Sequence, residues 1–299
     1  MTGRLVADVG GTQARFAIVL PNGQITRRID YRTRDFPSFS AALSRYRAES
    51  AVARGAISEA AVAGAGPLQD SAIKLTNAPW VLELDVLKRL MGVQRAVILN
   101  DLAAAAHALP LIGPDQRRTL HPGAHHPGDA QLIVGLGTGL GMAILQPLPG
   151  GRYLARGTEL GHSGCLPLDL ARRAEAGTWS LEHWICGTGL ARLYRQLTGE
   201  DLPPEEVAAA SSLQARRTRR VFAEATAAVL RDAALTAGAF GGISLIGSIS
   251  HALADELAAA MEQVLAGPHP MRDLVRELPV ALILHRDPAL MGLAALPLG

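Results

Sequence analysis

Two glycine-threonine turns, each held between apolar runs, constrain this chain more than any other feature. The first is Leu5-Val6-Ala7-Asp8-Val9-Gly10-Gly11-Thr12, followed by Phe16-Ala17-Ile18-Val19. The second is Leu132-Ile133-Val134-Gly135-Leu136-Gly137-Thr138-Gly139, followed by Met142-Ala143-Ile144-Leu145. Each reads as strand, tight turn, strand. Glycine at such a turn admits positive φ and lets backbone N–H groups approach an anion, while the threonine hydroxyl adds one more donor. Two such turns facing each other would grip a polyphosphate, whereas either one alone reads equally well as an ordinary hairpin.

Aligning Gly11-Thr12 with Gly137-Thr138 makes the flanking apolar runs coincide, as expected for two copies of one unit around a cleft. Only the first copy carries a carboxylate, Asp8, where the second has Val134. One acid beside a phosphate turn suits a metal-nucleotide, because magnesium takes one or two carboxylates and completes its shell with water and phosphate oxygens. Asp8 is therefore expected to face Mg2+, directly or through water, and the second turn to act as a backbone clamp. Other phosphate motifs fail. A P-loop needs glycine before lysine, and the two lysines, Lys74 and Lys88, follow Ile73 and Leu87. A dinucleotide fingerprint needs glycine three positions after the second one, where Leu140 and Met142 stand.

A length of 299 residues accommodates two domains. The formal charge of +2 selects no charged partner. The cluster Arg216-Arg217-Thr218-Arg219-Arg220 has helical surroundings and reads as a solvated helix face, since aromatics for base stacking make up only 4% of the chain. Nucleic acid is not expected as a partner. Cys165 and Cys186 cannot frame a metal site by themselves or staple a secreted scaffold. Strand character begins near Arg4 and no apolar run reaches membrane-spanning length, so a cytoplasmic protein without membrane attachment is expected.

Further along, a strand is expected near 24–31, a helix over 38–50, an apolar strand over 60–65, a helix over 84–91 and a strand over 96–99 that ends in Asn100-Asp101. Polar groups directly after a buried strand lie at its carboxyl end, where open α/β sheets hold ligands. The Pro-, Gly- and His-rich span 113–129 reads as an irregular connection between lobes, and His121, His125 and His126 within it lack the spacing of metal ligands. A helix near 180–197, a long helix over about 204–238, strands 243–246 and 280–284 and a terminal helix from Pro288 follow. Strands and helices alternate in each half, which is the α/β class. The expected division is a small lobe over 1–112, completed by the C-terminal helix at about 287–299, and a large lobe over 113–286.

Taken in order, several segments resemble those of the bacterial glucokinases. They are Asp8-Val9-Gly10-Gly11-Thr12, Thr76-Asn77-Ala78-Pro79-Trp80, Leu99-Asn100-Asp101-Leu102, Gly137-Thr138-Gly139 and Glu159-Leu160-Gly161-His162. Glu182 ahead of Gly187-Thr188-Gly189-Leu190, Gly241-Gly242 through Gly247, and the closing Leu284-His285-Arg286-Asp287-Pro288-Ala289-Leu290-Met291-Gly292 complete the set. The resemblance implies the two-lobed actin-like ATPase (ribonuclease H-like) fold with an interlobe cleft, glucose and ATP as partners, and a homodimer. It implies that Asn100, Asp101, Glu159, His162 and Glu182 contact sugar hydroxyls, with Asp101 as general base for the 6-hydroxyl. It also implies that Asp8, Val9, Gly10, Gly11, Thr12, Gln13, Gly137, Thr138, Gly139 and Gly247 hold ATP. The residue types suit the task, because carboxylates and amides can satisfy hydroxyls that both donate and accept.

Two positions depart from the family pattern. Gln13 stands where asparagine is usual, and Ser248 follows Gly247 where a second glycine is usual, which bears on the nucleotide pocket. Kinases for another hexose or amino sugar, and a non-catalytic sugar sensor, use the same fold. A repressor is disfavoured, since no DNA-binding helices precede the first strand and two distant cysteines cannot build a zinc cluster.

Overall fold

The computed structural model describes residues 2–51, 55–124, 126, 128–164, 167, 170 and 180–298. Two units emerge: Met1–Leu111 with Ala155–Gly157 and Arg286–Gly299, and Ile112–Leu154 with Thr158–His285.

The first unit contains strands β1 (Gly3–Val9), β2 (Gln13–Val19), β3 (Ile25–Arg32), β4 (Ile57–Gly64), β5 (Leu68–Gln69), β6 (Ala72–Lys74), β7 (Val81–Glu83) and β8 (Arg95–Asn100). Five of them form a sheet in the order β3-β2-β1-β4-β8, and β5, β6 and β7 form a small sheet of their own. The β1–β2 and β2–β3 pairs are antiparallel, whereas β1–β4 and β4–β8 are parallel. Central parallel strands are covered on both faces, which is why Ala60-Ala61-Val62-Ala63 is an unbroken apolar run with every side chain buried. Leu5, Ala7 and Val9 alternate onto one face with Phe16 and Ile18. The helix Phe39–Glu49 covers that face, capped by Ser38, whose side chain accepts from Ala41 N. Its Phe39 and Tyr46 rings stack on Phe16 at 6.1 and 5.2 Å.

The helices Asp101–Ala106 and Pro288–Ala295 pack on each other, and the second also packs on β1 and β4. The contact depends on absent side chains, since a Cβ on Gly292 would lie 1.9 Å from the Ala104 carbonyl oxygen. Arg4 ties the chain end to the sheet. Its Nη1 donates to the Leu296 carbonyl at 2.6 Å, and its Nη2 pairs with Glu59 at 2.7 Å.

The second unit carries β9 (Arg117–His121), β10 (Gln131–Leu136), β11 (Leu140–Leu148), β12 (Arg152–Thr158), β13 (Ile243–Ile246) and β14 (Val280–Ile283), ordered β12-β11-β10-β13-β14-β9. The β10–β11 pair is antiparallel, and β10–β13 and β13–β14 are parallel. Hairpin and parallel strands thus occur in the same order as in the first sheet, matching the internal repeat that the two turns suggested. Leu132, Val134, Ile243, Leu245, Val280 and Leu282 share a core with Phe222, Leu230, Leu257 and Met261 from the helices Leu213–Ala237 and Ala254–Ala266.

The α/β class holds, and several local expectations change. The span 113–129 is not irregular throughout, because β9 pairs antiparallel with β14; strand pairing overrides its proline-rich composition. The expected helix over 204–238 is two, Pro204–Ala209 and Leu213–Ala237, since Ser212 accepts from Ala215 N and starts a new helix. The expected helix near 180–197 divides likewise into Leu181–Trp184 and Gly187–Thr198, with Cys186 as the second N-cap. Arg219 does not lie on a solvated face. It is 8% exposed, pairs with Glu256 at 2.5 Å, and its Nη1 donates to the carbonyls of Val207 and Ala210 at 2.9 and 2.7 Å. Cys165 and His125 lie outside the described residues, and Cys186 is buried as a free thiol. Among the described residues, no helix is long and apolar enough to cross a membrane, and no three His, Cys, Asp or Glu side chains gather as a metal site.

Candidate active site

In the first unit the turn between β1 and β2 is closed by Gly10 N donating to the Gln13 carbonyl at 2.8 Å. Buried Thr33 pins it from behind: its hydroxyl donates to Gly10 O at 2.9 Å and its N–H to Thr12 O at 2.9 Å. A Cβ on Gly11 would lie 2.7 Å from Asn77 Cβ, so glycine is needed there for close approach of the Asn77 segment. Among the described residues the N–H groups of Gly11 and Thr12 have no acceptor. Such a pair of free amides is a ready anion cradle. Val9 contributes backbone alone, because its side chain is wholly buried in the core and its carbonyl accepts from Ala65 N at 3.1 Å.

Asp8 lies opposite Arg15 in the β1–β2 register, and Arg15 Nη1 donates to Asp8 Oδ2 at 2.9 Å. Burial pushes the Asp8 carboxyl above its ordinary value of 3.8, while the charge and hydrogen bond of Arg15 pull it down. Arg15 Nη2 also donates to Gln13 Oε1 at 2.8 Å. Asp287 lies 3.8 Å from Arg15 Nε and makes a bidentate pair with Arg28 at 2.7 and 3.2 Å. The pairing of Arg15 with Asp8 follows from hairpin register, which the spacing of the two residues about the glycine turn encodes.

Asn100 closes β8 and caps the helix Asp101–Ala106. Its Oδ1 accepts from Leu102 N and Ala103 N at 3.0 and 3.1 Å, and its Nδ2 donates to Gly66 O at 3.2 Å. A Cβ on Gly157, in the same unit, would lie 2.7 Å from that Oδ1. Asp101 opens the helix half-buried, with its Oδ1 accepting from Leu102 N at 2.9 Å. Val9, Gly64 and Asn100 occupy one row of the sheet, so the Asp8 turn and Asn100-Asp101 share its carboxyl edge two strands apart. At the usual strand spacing this is about 10 Å.

In the second unit the turn Gly137–Gly139 is closed by Gly137 N donating to Gly139 O at 3.1 Å, and Gly137 O accepts from Gly187 N at 2.8 Å. Among the described residues the amides of Thr138 and Gly139 have no acceptor. Glu182 braces this turn. Its Oε2 accepts from Leu140 N at 2.9 Å and would lie 2.6 Å from a Cβ at Gly139. Gly247, with φ +102°, follows β13 beside the same turn, where a Cβ would strike Leu136 O at 2.4 Å. Ser248 starts the helix Ser248–Ala252, and its Oγ would lie 3.7 Å from a Cβ on Gly137. Glu159 and His162 flank a single 3-10 turn, both exposed, with 3.9 Å between Oε2 and Nε2.

The structure thus gathers Asp8, Gly10, Gly11, Thr12, Gln13, Asn100 and Asp101 at one sheet edge of the first unit. In the second unit it gathers Gly137, Thr138, Gly139, Glu182 and Gly247, with Glu159 and His162 on their own turn. The Glucokinase family model matches residues 5–298. A glucokinase of Cupriavidus pinatubonensis is 33% identical, over 97% of this chain and 91% of its own length. The crystal structure of a glucokinase from an Antarctic psychrotroph superposes with a TM-score of 0.84 at 25% identity, covering 99% of this chain and 98% of that one. A ROK family glucokinase of Streptomyces griseus, solved with glucose and AMPPNP, superposes at 0.67 with 20% identity over 98% of each chain and shares the fold.

Proposed function

The chain belongs to the glucokinase family, and from that premise we propose that it transfers the γ-phosphoryl group of ATP to the 6-hydroxyl of glucose, with Asp101 as the base. The observation that carries the assignment is the position of Asp101, a half-buried carboxylate one residue beyond the carboxyl end of β8 and about 10 Å across the sheet edge from the Asp8 turn. The O6 proton passes to Asp101, the O6–phosphorus bond forms, and the bond from phosphorus to the bridging oxygen breaks to release ADP. A base of this kind acts late in a loose phosphoryl transfer, where positioning and charge dominate.

The amides of Gly11 and Thr12 in the first unit, and of Thr138 and Gly139 in the second, unsatisfied among the described residues, support a role in holding phosphate oxygens, with Gly10 and Gly247 each keeping its own unit's turn free of side chains and Gln13 closing the first turn. Asp8 would hold magnesium, directly or through water, and the ion would neutralise charge on the β- and γ-phosphates. The site residues fit that group, since Asp8 is a half-buried carboxylate at the foot of a phosphate turn. For the sugar, Asn100 keeps one amide hydrogen beyond its bond to Gly66, Glu182 keeps Oε1 beyond its bond to Leu140, and Glu159 and His162 are open to solvent. A cytoplasmic homodimer completes the reading on the strength of the family resemblance.

Glucose-dependent ADP release by the purified protein tests this reading, with magnesium withdrawn by chelation and a panel of hexoses and amino sugars as acceptors. Turnover that requires glucose and magnesium is expected. ADP release indifferent to every sugar would overturn it.

A further inference from the structure

Within the second unit, the phosphate turn Gly137–Gly139 and the turn Glu159–His162 assigned to the sugar are built into each other around one residue, Leu140. Gly161 lets them meet, since a Cβ there would lie 2.2 Å from Leu140 O and 3.4 Å from Glu182 Cβ. The Leu140 carbonyl therefore lies against the sugar turn. Its N–H donates to Glu182 Oε2 at 2.9 Å.

That N–H belongs to the same planar peptide as the Gly139 carbonyl, which accepts from Gly137 N at 3.1 Å. One rigid plane is thus held from both sides, by the turn itself and by Glu182. The amides of Thr138 and Gly139, which have no acceptor among the described residues, lie between Gly137 and this plane. Their direction depends on it. The carboxylate is seated so closely that a Cβ on Gly139 would lie 2.6 Å from Oε2.

The backbone that carries Glu182 is anchored. Ser180 Oγ accepts from His183 N at 3.3 Å and starts the helical turn Leu181–Trp184, whose Leu181 and Trp184 side chains are buried in the core. The segment is also tied to both turns. Leu181 N donates at 2.9 Å to the carbonyl of Ser163, which follows the sugar turn, and Gly187 N donates to Gly137 O at 2.8 Å. The main chain fixes where the side chain begins, so its rotamer decides whether Leu140 is held. A sugar hydroxyl on Oε1 would restrict the carboxylate to the rotamer in which Oε2 meets Leu140. Ordering of one side chain would then serve both ligands, and such coupling is reciprocal.

We propose that Glu182 is a positioning residue for the nucleotide turn as well as a sugar contact, so that sugar on Oε1 tightens nucleotide binding at Thr138 and Gly139. The coupling rests on the function proposed above, whereas the brace rests on the hydrogen bond to Leu140.

Calorimetric titration of ADP into the full chain, with and without saturating glucose, tests both parts without turnover. In the absence of sugar, folded Glu182→Ala should bind ADP about tenfold more weakly than the parent, the worth of one charge-assisted hydrogen bond. Glu182→Gln, whose amide oxygen still accepts from Leu140 N, should restore most of that affinity. A residue that only touches sugar would leave sugar-free ADP binding alone. Glucose should tighten ADP binding about fivefold or more in the parent, the low end of ordinary coupling, and leave Glu182→Ala unchanged. If Glu182→Ala does not fold, Glu182→Asp, which keeps the charge but is one methylene shorter, carries the same comparison. Equal sugar-free ADP affinity in parent and variant, or glucose that binds the parent without changing its ADP affinity, would overturn the proposal. A parent that binds ADP but no glucose would overturn the coupling together with the proposed function, and the sugar-free comparison would still decide the brace.

Discussion

Arg15 holds Asp8 and Gln13 at once, with Nη1 2.9 Å from Asp8 Oδ2 and Nη2 2.8 Å from Gln13 Oε1. One guanidinium therefore pairs with the carboxylate proposed above for the metal and fixes the amide that departs from the family pattern. The longer glutamine side chain meets Arg15 within its own strand, two residues away.

Replacing Arg15 with methionine should leave Asp8 half-buried without its cation. The expected loss of stability is about 1–3 kcal/mol, the cost of an unmatched buried acceptor, read by urea denaturation. The KM for ATP should rise, because the turn loses the group that orients Gln13.

Asp101→Asn retains a side-chain oxygen in place of the Oδ1 that accepts from Leu102 N, so the fold should survive. Turnover should fall by about 10²–10⁴, the usual worth of general base catalysis, with glucose affinity within a few-fold in a binding titration. Retained turnover would remove the base assignment.

Gly247→Ala combines strained backbone with a clash. At φ +102° any other residue is unfavourable, and its Cβ would sit 2.4 Å from Leu136 O. Thermal denaturation should show a loss of roughly 1–3 kcal/mol from the backbone conformation alone, with weaker ADP binding because the neighbouring turn must shift.

Arg219→Ala should cost about 3–5 kcal/mol, since it strands Glu256 and two carbonyls beside a buried position. Replacing both partners, as Arg219→Met with Glu256→Leu, should recover part of that loss. A double-mutant cycle by chemical denaturation measures the coupling.

His107 ends the helix that Asp101 begins, and burial holds its pKa below the ordinary 6.5. The unfolded chain therefore binds the proton more tightly. The stability contributed by neutral His107 is complete above pH 6.5 and declines as pH falls through 6.5 toward the folded value. Melting temperatures at pH 7.5 and 5.5 should differ less in His107→Asn than in the parent protein.

Much of the fold was legible because burial leaves a periodic mark. The all-apolar stretches 60–63 and 132–134 announced central strands, and the glycines between paired runs announced both hairpins. Breaks in helices were less legible. Ser212 and Cys186 are caps only because the chain turns there, and either could stand on a helix surface in another setting. Strand β9 was hidden because its residues alternate Arg, Arg, Thr, Leu, His, and only pairing with β14 makes an extended conformation favourable. At the candidate site, residue types and order pointed to Asp8, Asn100 and Asp101 as candidates, but not to the work that several side chains already do. Asn100 caps a helix and Glu182 braces a glycine turn, uses invisible until the partner amides are placed.

The sequence by itself determined the α/β class, the two phosphate-type turns and the family, because these rest on local backbone preference, hydrophobic period and motif order. Only the tertiary structure decided that Arg15 answers Asp8, that Arg219 is interior, and that Glu182 meets the amide of Leu140. Hydrogen bonds and ion pairs act over about 3 Å. Residues far apart in the chain come within that reach only after sheet register and helix packing have set their positions.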